Sequence, residues 1–338
     1  GDNAERVATG LEAALDTFEK LAGSSNPWWQ PSRDNPTTLL ILDRADDPLT
    51  PLVHEYTYQA MVVDVLGLQG DKYKHESKAA AGHTETKEVR LNDADPLWPK
   101  YRHQHIADAI SSVVDEFNAF MKENKAATMA KGDGADMKQM TEAIKAMPQF
   151  KELLGKYSLH MELTRKCMKK FEELCLDVIS AEEQDMATGQ DVQGNPPKDM
   201  PGRIAKLLQN EKVLPRDKLR ALLIYIITQE GVTSADVTRL GGLAGFSEGD
   251  PSMHAVNNIR HLGVGLNRTT RKEEQTKVAA AMKMIPFLKT VTDMGAKKKA
   301  SDVSYDLSRY RPALQLALQD LVEDKLDVTE YPYAGAPP

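Results

Sequence analysis

Three groups of side chains in this sequence have types and spacings that chemistry can use. Asp43, Asp46 and Asp47 crowd one bend beside Arg44, and clustered carboxylates can hold a hard cation or share a proton. His103 and His105 form a His-x-His pair, the beginning of a zinc site. Cys167 and Cys175 are the two cysteines. The rest of the sequence completes none of these. A metal needs more converging ligands, whereas Arg44 neutralises one neighbouring acid by a charge-assisted bidentate pair, making it a tie between strand and bend. The histidines sit at a predicted helix start, where they face solvent or cap. The cysteines lack CxxC spacing and lie eight residues apart in a helical pattern, so a bond between them is geometrically unfavourable. Two buried thiols of a reducing compartment fit better. Gly241-Gly242 with Gly245 lacks the Lys-Ser/Thr of a phosphate loop, and no nucleophile elbow occurs. These residues point to no enzyme, no metal and no cofactor.

The elements that carry them read as follows. Thr38 to Leu42 is a short apolar run, typical of a strand covered on both faces. Pro48 and Pro51 close the acidic bend after it and delay the next helix. From Val53 apolar residues return at helical spacing through Tyr56, Ala60, Val63 and Leu66. Asp2 to Leu21 has Val7, Leu11, Leu15 and Phe18 on one helical face. Lys72 to Glu76 and Thr86 to Asn92 read as two strands. His105 to Met121 is a helix with Ile106, Ile110, Val113 and Phe117 on its stripe, and the polar stretch from Lys122 to Asp136 is a loose tip. A Pro- and Gly-rich linker covers Met186 to Gly202, and further helices follow at Ile204, Lys218 and Thr233. Ser308 to Lys325 is a last amphipathic helix, with Leu314, Leu318, Leu321 and Val322.

The sharpest pattern lies between the tip and the linker, where one long helix runs from Gln149 to about Ala187. Met147, Phe150, Leu154, Tyr157, Met161, Thr164, Met168, Phe171, Cys175 and Val178 alternate at spacings of three and four, as in a coiled-coil seam. That seam can pack on the helix ending near Met121, giving an ordinary helical hairpin. Alternatively part of it, or a second face with Leu153, Leu159 and Leu163, receives a partner helix. Pro148 stands at the head of this pattern, either as a favourable first helical residue or as a hinge beyond which the chain furls. Met137, Met140 and Ile144 continue the apolar spacing upstream. Arg165, Lys166, Lys169 and Lys170 form a basic face that is solvated or steers acidic partners.

At 338 residues with a net charge of −7, the chain can bury a sizeable core and has no basic excess for nucleic acid. Its 28% charged and 41% hydrophobic composition suits a soluble intracellular protein. No window offers the ~20 apolar residues of a membrane span, and no secretory signal leads the chain.

Six segments in order resemble the SM family, the syntaxin-binding regulators of membrane fusion. They are Asp43-Arg44 with Asp47-Pro48 and Thr57-Tyr58-Gln59-Ala60-Met61; Leu97-Trp98-Pro99-Lys100-Tyr101-Arg102-His103; Met147-Pro148-Gln149-Phe150 with Lys156-Tyr157-Ser158-Leu159-His160; Asp217-Lys218-Leu219-Arg220; His261-Leu262-Gly263-Val264; and Leu307-Ser308-Arg309-Tyr310-Arg311-Pro312 with Tyr331-Pro332-Tyr333. The resemblance implies a mainly α fold with a minor α/β part: a helical domain with a long hairpin, plus remnants of an α/β domain with a short parallel-type sheet. Residues 1–44 would end a middle α/β domain. Residues 45–303 would be the helical third domain, with the hairpin at about 97–187, a second helical subregion at about 201–265 and a charged loop at 266–303. Residues 304–338 would return to the middle domain. Family members are close to twice this length, so a fragment is expected. The implied partners are a syntaxin-type SNARE and a synaptobrevin-like vesicle SNARE, held on the hairpin and templated there, with Pro148 as the furled-to-extended hinge. The SNARE-binding helix would carry Leu153, Tyr157, Leu159, Met161, Leu163 and Met168, Met161 departing from the family's usual aliphatic residue. The resemblance favours the exocytic branch, with a cytoplasmic protein held at the plasma membrane or vesicles through its SNARE partners, and no direct membrane insertion. The alternative is a structural helical module of an endosomal-branch member, with SNARE binding in other domains.

Overall fold

The structure, a computed structural model, describes residues 2–22, 38–78, 84–130, 148–229, 231–264 and 305–334. It is mainly helical: α1 Asp2–Ala22, α2 Tyr58–Leu66, α3 Trp98–Tyr101, α4 Ile106–Ala130, α5 Pro148–Glu173, α6 Leu176–Thr188, α7 Met200–Gln209, α8 Pro215–Thr228, α9 Ser234–Ala244, α10 Pro251–Asn258 and α11 Ala313–Val322. Among the described residues the one sheet is a hairpin, β1 Lys72–Lys78 antiparallel to β2 Thr84–Arg90, with Tyr73 opposite Val89. The chain forms two compact units, 54–178 on one hand and 1–53 with 179–338 on the other.

In the 54–178 unit, α2 starts after Thr57 and stops where Gly67 turns left-handed at φ 72°, a conformation glycine adopts without strain. It buries Tyr58, Met61 and Val62. α4 and α5 pack as a helical hairpin through rings: Phe120 stacks on Phe150 at 5.1 Å, and Phe117 and Phe120 meet Tyr157 at 5.7 and 5.5 Å. Tyr58, Trp98, Tyr101 and Leu163 are fully buried at its centre, each stabilising the unit by roughly 1.5–3 kcal/mol relative to exposure. In the other unit, α8 buries nearly every side chain from Asp217 to Ile227. α9 is capped as its sequence demands, with the Asp236 amide donating to the Thr233 hydroxyl at 3.1 Å.

Several expectations change. Thr38 to Leu42 is not a strand, and Leu39 is 65% exposed; an apolar run becomes a strand only beside another strand, and none flanks it among the described residues. No parallel sheet occurs among those residues either. The first part of the expected tip, through Ala130, is helix, because Lys, Glu and Ala favour helix. The long helix is two helices. Cys175 takes φ 54° and α6 restarts at Leu176, a single left-handed residue that periodicity does not register. α11 is shorter than expected and buries Leu316 and Ala317, leaving Leu314, Leu318 and Val322 exposed. α1 likewise leaves Val7 and Leu15 exposed at 58% and 41%. Met137, Met140, Ile144, Met147 and the 266–303 segment lie outside the described residues.

Candidate functional site: the face of α5 and the Asp47 clamp

Pro148 is the first residue of α5, where its missing N–H costs nothing and its fixed φ suits the helix. The expected partner-binding residues divide by burial. Leu163 is fully buried, and Tyr157 and Leu159 are 6% and 8% exposed; they hold α5 within its own unit. Leu153, Met161 and Met168 are half-buried, as is Leu154. Leu154, Met161 and Met168 lie seven apart and so share one edge of the helix. On α4, Val114 is 40% exposed. The inner face is the internal seam; this outer edge is the apolar surface α5 still offers.

The basic face is partly neutralised within the helix. Lys166 pairs with Glu162 at 2.9 Å, and Lys169 and Lys170 meet Glu173 at 3.4 and 2.8 Å. Exposed pairs of this kind contribute little stability but reduce the field available for steering. Lys166 also reaches over the Tyr73 ring of β1 at 5.7 Å.

Behind Met161 lies a polar chain that the sequence pattern did not announce. His160 is fully buried on the core face of α5. Its Nδ1 is 2.8 Å from the Tyr58 hydroxyl and its Nε2 is 3.3 Å from Asp95 Oδ1. Asp95 Oδ1 also accepts the amides of Leu97 and Trp98 at 2.9 and 3.3 Å, and Oδ2 meets Lys156 Nζ at 3.1 Å. Burial alone would raise the Asp95 carboxyl, but the bonds from His160, Leu97 and Lys156 outweigh it and hold it below the usual carboxylate range. An ionised Asp95 only accepts, so His160 donates to it from Nε2, and its Nδ1 shares a hydrogen bond with the Tyr58 hydroxyl. Tyr58 is kept protonated by burial and by the negative groups near it. The available signals were a histidine inside an apolar stripe and an aspartate directly ahead of Pro96.

The acidic bend is a clamp within the second unit. Asp43 caps a one-turn 3-10 helix, Arg44–Asp46, in a reciprocal capping box. Arg44 donates to the Asp47 carbonyl and stands 3.9 Å from its carboxylate, so the expected bidentate pair is replaced by a backbone contact. Asp47 is the hub, and Pro48 is buried beside it. Its Oδ1 accepts the Thr50 amide at 2.9 Å and the Tyr310 hydroxyl at 2.8 Å; its Oδ2 accepts the Ala313 amide at 2.9 Å and the Thr50 hydroxyl. Burial would raise this carboxyl, and those donors together hold it below its ordinary range. The two sequence motifs, Asp43 to Pro48 and Leu307 to Pro312, thus meet in one hydrogen-bond cluster. Arg309 reinforces it, donating to Asp185 at 2.5 Å and to the Gln190 carbonyl at 2.6 Å. Gln184 Oε1 accepts the amides of Arg309 and Tyr310, both at 2.7 Å.

Among the described residues no three His, Cys, Asp or Glu side chains gather as a metal site. His105 accepts the Ala107 amide at 3.3 Å, a capping contact. Cys167 is buried, which pushes its thiol up to about 12, and Cys175 is half-buried; both are free. No described helix is long and apolar enough to cross a membrane.

The model of the Sec1 family matches residues 1–338. The chain belongs to the Sec1 family. That is the resemblance its motifs carry. The protein transport protein sec1 of Dictyostelium discoideum is 35% identical over 332 residues, covering 98% of this chain and 52% of that protein. The sec1 protein of Schizosaccharomyces pombe is 32% identical over 304 residues, covering 88% and 40%. This Sec1-family chain therefore spans about half the length of the curated relatives it matches. Among solved structures, the Unc18–syntaxin 1 complex from Monosiga brevicollis superposes with a TM-score of 0.75 at 25% identity, over 100% of this chain and 57% of that one.

Proposed function

We propose that this Sec1-family chain is a non-enzymatic regulator of vesicle docking and membrane fusion. It binds a syntaxin-type SNARE and a synaptobrevin-like vesicle SNARE and templates their pairing on the α4–α5 hairpin. The observation that carries this reading is the half-buried edge of Leu154, Met161 and Met168, set at the seven-residue spacing that SNARE helices repeat in their own apolar layers. The structural relative from Monosiga, solved with syntaxin 1, supports a syntaxin-type partner. In this reading Leu153, Met161 and Met168 touch the partner, Tyr157, Leu159 and Leu163 support the contact from beneath, and Pro148 gates the extension of α5. Holding two chains in register reduces the entropy cost of joining them. The protein works in the cytoplasm, at the plasma membrane or vesicles, through its SNARE partners.

The test is a fluorescence titration of labelled syntaxin and synaptobrevin-like SNARE motifs against the chain. Met161→Arg places a charge in the apolar edge and abolishes vesicle-SNARE binding, while Pro148→Ala strengthens it. A second reading has one observation in its favour: the burial of Tyr157, Leu159 and Leu163 makes the seam internal packing, as in a structural module whose SNARE binding resides in other domains. No binding by a demonstrably folded chain would favour that reading.

A further inference from the structure

We infer that the buried chain Tyr58–His160–Asp95–Lys156 is a positioning device that fixes the rotation of α5 and thereby decides which side chains its outer edge presents. The inference rests on the partner-binding reading above for its functional consequence, but not for its geometry. Apolar contacts are non-directional, so a helix packed by them alone can rotate or slide among similar arrangements. Hydrogen bonds are directional, and here two α5 residues one turn apart, Lys156 and His160, engage opposite oxygens of one carboxylate at 3.1 and 3.3 Å. That carboxylate is itself pinned by the Leu97 and Trp98 amides. The other ring nitrogen of His160 takes the Tyr58 hydroxyl of α2 at 2.8 Å, and the ring lies nearly parallel to Trp98 at 25°, with centroids 6.2 Å apart. The helix is thus keyed to α2 and to the 95–98 turn at a single residue, and Met161 is the next residue along. A turn of α5 by one position, 100°, would bring Met161 inward and leave Tyr58 and Asp95 without their partners in a dry interior, which is costly.

The test uses Tyr58→Phe, which removes one oxygen and keeps the ring that packs edge-on against Trp98 at 5.3 Å. Methionine methyl groups carrying carbon-13 report the positions of Met161 and Met168 without any partner, with Met253 as the internal control. The expected result is displaced or doubled Met161 and Met168 signals and an unchanged Met253 signal. In the same variant the affinity for the synaptobrevin-like motif falls about tenfold, and this loss disappears in a Met161→Ala background. Unchanged Met161 and Met168 signals in folded Tyr58→Phe would overturn the inference, whatever the binding. An affinity loss undiminished by Met161→Ala would overturn it too, since it would mark a general loss of stability. Displaced signals in a chain whose wild type does not bind the motif would uphold the positioning device and reject the binding reading.

Discussion

Each unit holds a buried carboxylate that ties separate stretches of its chain together. Asp47 and Asp95 are both nearly inaccessible, at 4% and 1% exposure, and each satisfies donors from separate stretches of chain. Asp47→Ala would leave the Thr50, Tyr310 and Ala313 donors without their acceptor, so a loss of about 3 kcal/mol is expected in urea unfolding. Both carboxyls are more acidic folded than unfolded. The stability they add is therefore complete above the unfolded value near pH ~4 and drains away as pH falls through their lower folded values. Acid unfolding followed by circular dichroism should steepen below about pH 4, and Asp95→Asn should flatten that limb while lowering stability at neutral pH. Neither role could be read from the residues alone. Asp47 was legible as part of a bend, but its partners at 310 and 313 lie far along the chain, and a bidentate pair with Arg44 was the nearer and wrong choice.

Elements with a complete local signal were legible, and those defined by neighbours were not. α2, the β1–β2 hairpin and the Thr233 cap follow from spacing, strand patterning and capping chemistry within a few residues. The 38–42 run failed because a strand needs a second strand, and α11 failed in its face because an apolar stripe does not say what covers it. The break between α5 and α6 escaped because the apolar spacing continues through it. Cys175 holds a left-handed conformation that L residues other than glycine adopt at a cost. Cys175→Gly relieves that strain, with an expected gain of about 1 kcal/mol in the thermal midpoint analysis. Loss of stability in that variant would mean the thiol's packing outweighs the backbone. Of the two readings of the seam, packing on α4 is met at Phe150 and Tyr157. Which of its residues remain accessible required the fold, since Met161 and Leu163 are equally apolar in sequence.

At the scale of the molecule, the sequence carried the family and a mainly helical fold, and the structure supplies the surface on which the proposed function rests. That surface is narrow: an edge of α5 flanked by α4, on a helix whose inner face is already committed. Binding that depends on so few side chains should be sensitive to single charges and relatively insensitive to salt, because the nearby lysines are largely paired. Titrations of the SNARE motifs between low and physiological salt should differ by less than about threefold; a much steeper dependence would assign the affinity to the basic face instead.

The most direct measurement is site-specific photocrosslinking to a labelled synaptobrevin-like SNARE motif, with the photoreactive residue placed at Met161, at Met168, or at Lys169, which is exposed on the basic side of α5 about a quarter-turn away. The expected result is crosslinking from 161 and 168 and none from 169. Crosslinks from 169 alone, or from none of the three while the folded chain still binds the motif, would contradict the assignment of this edge as the partner site.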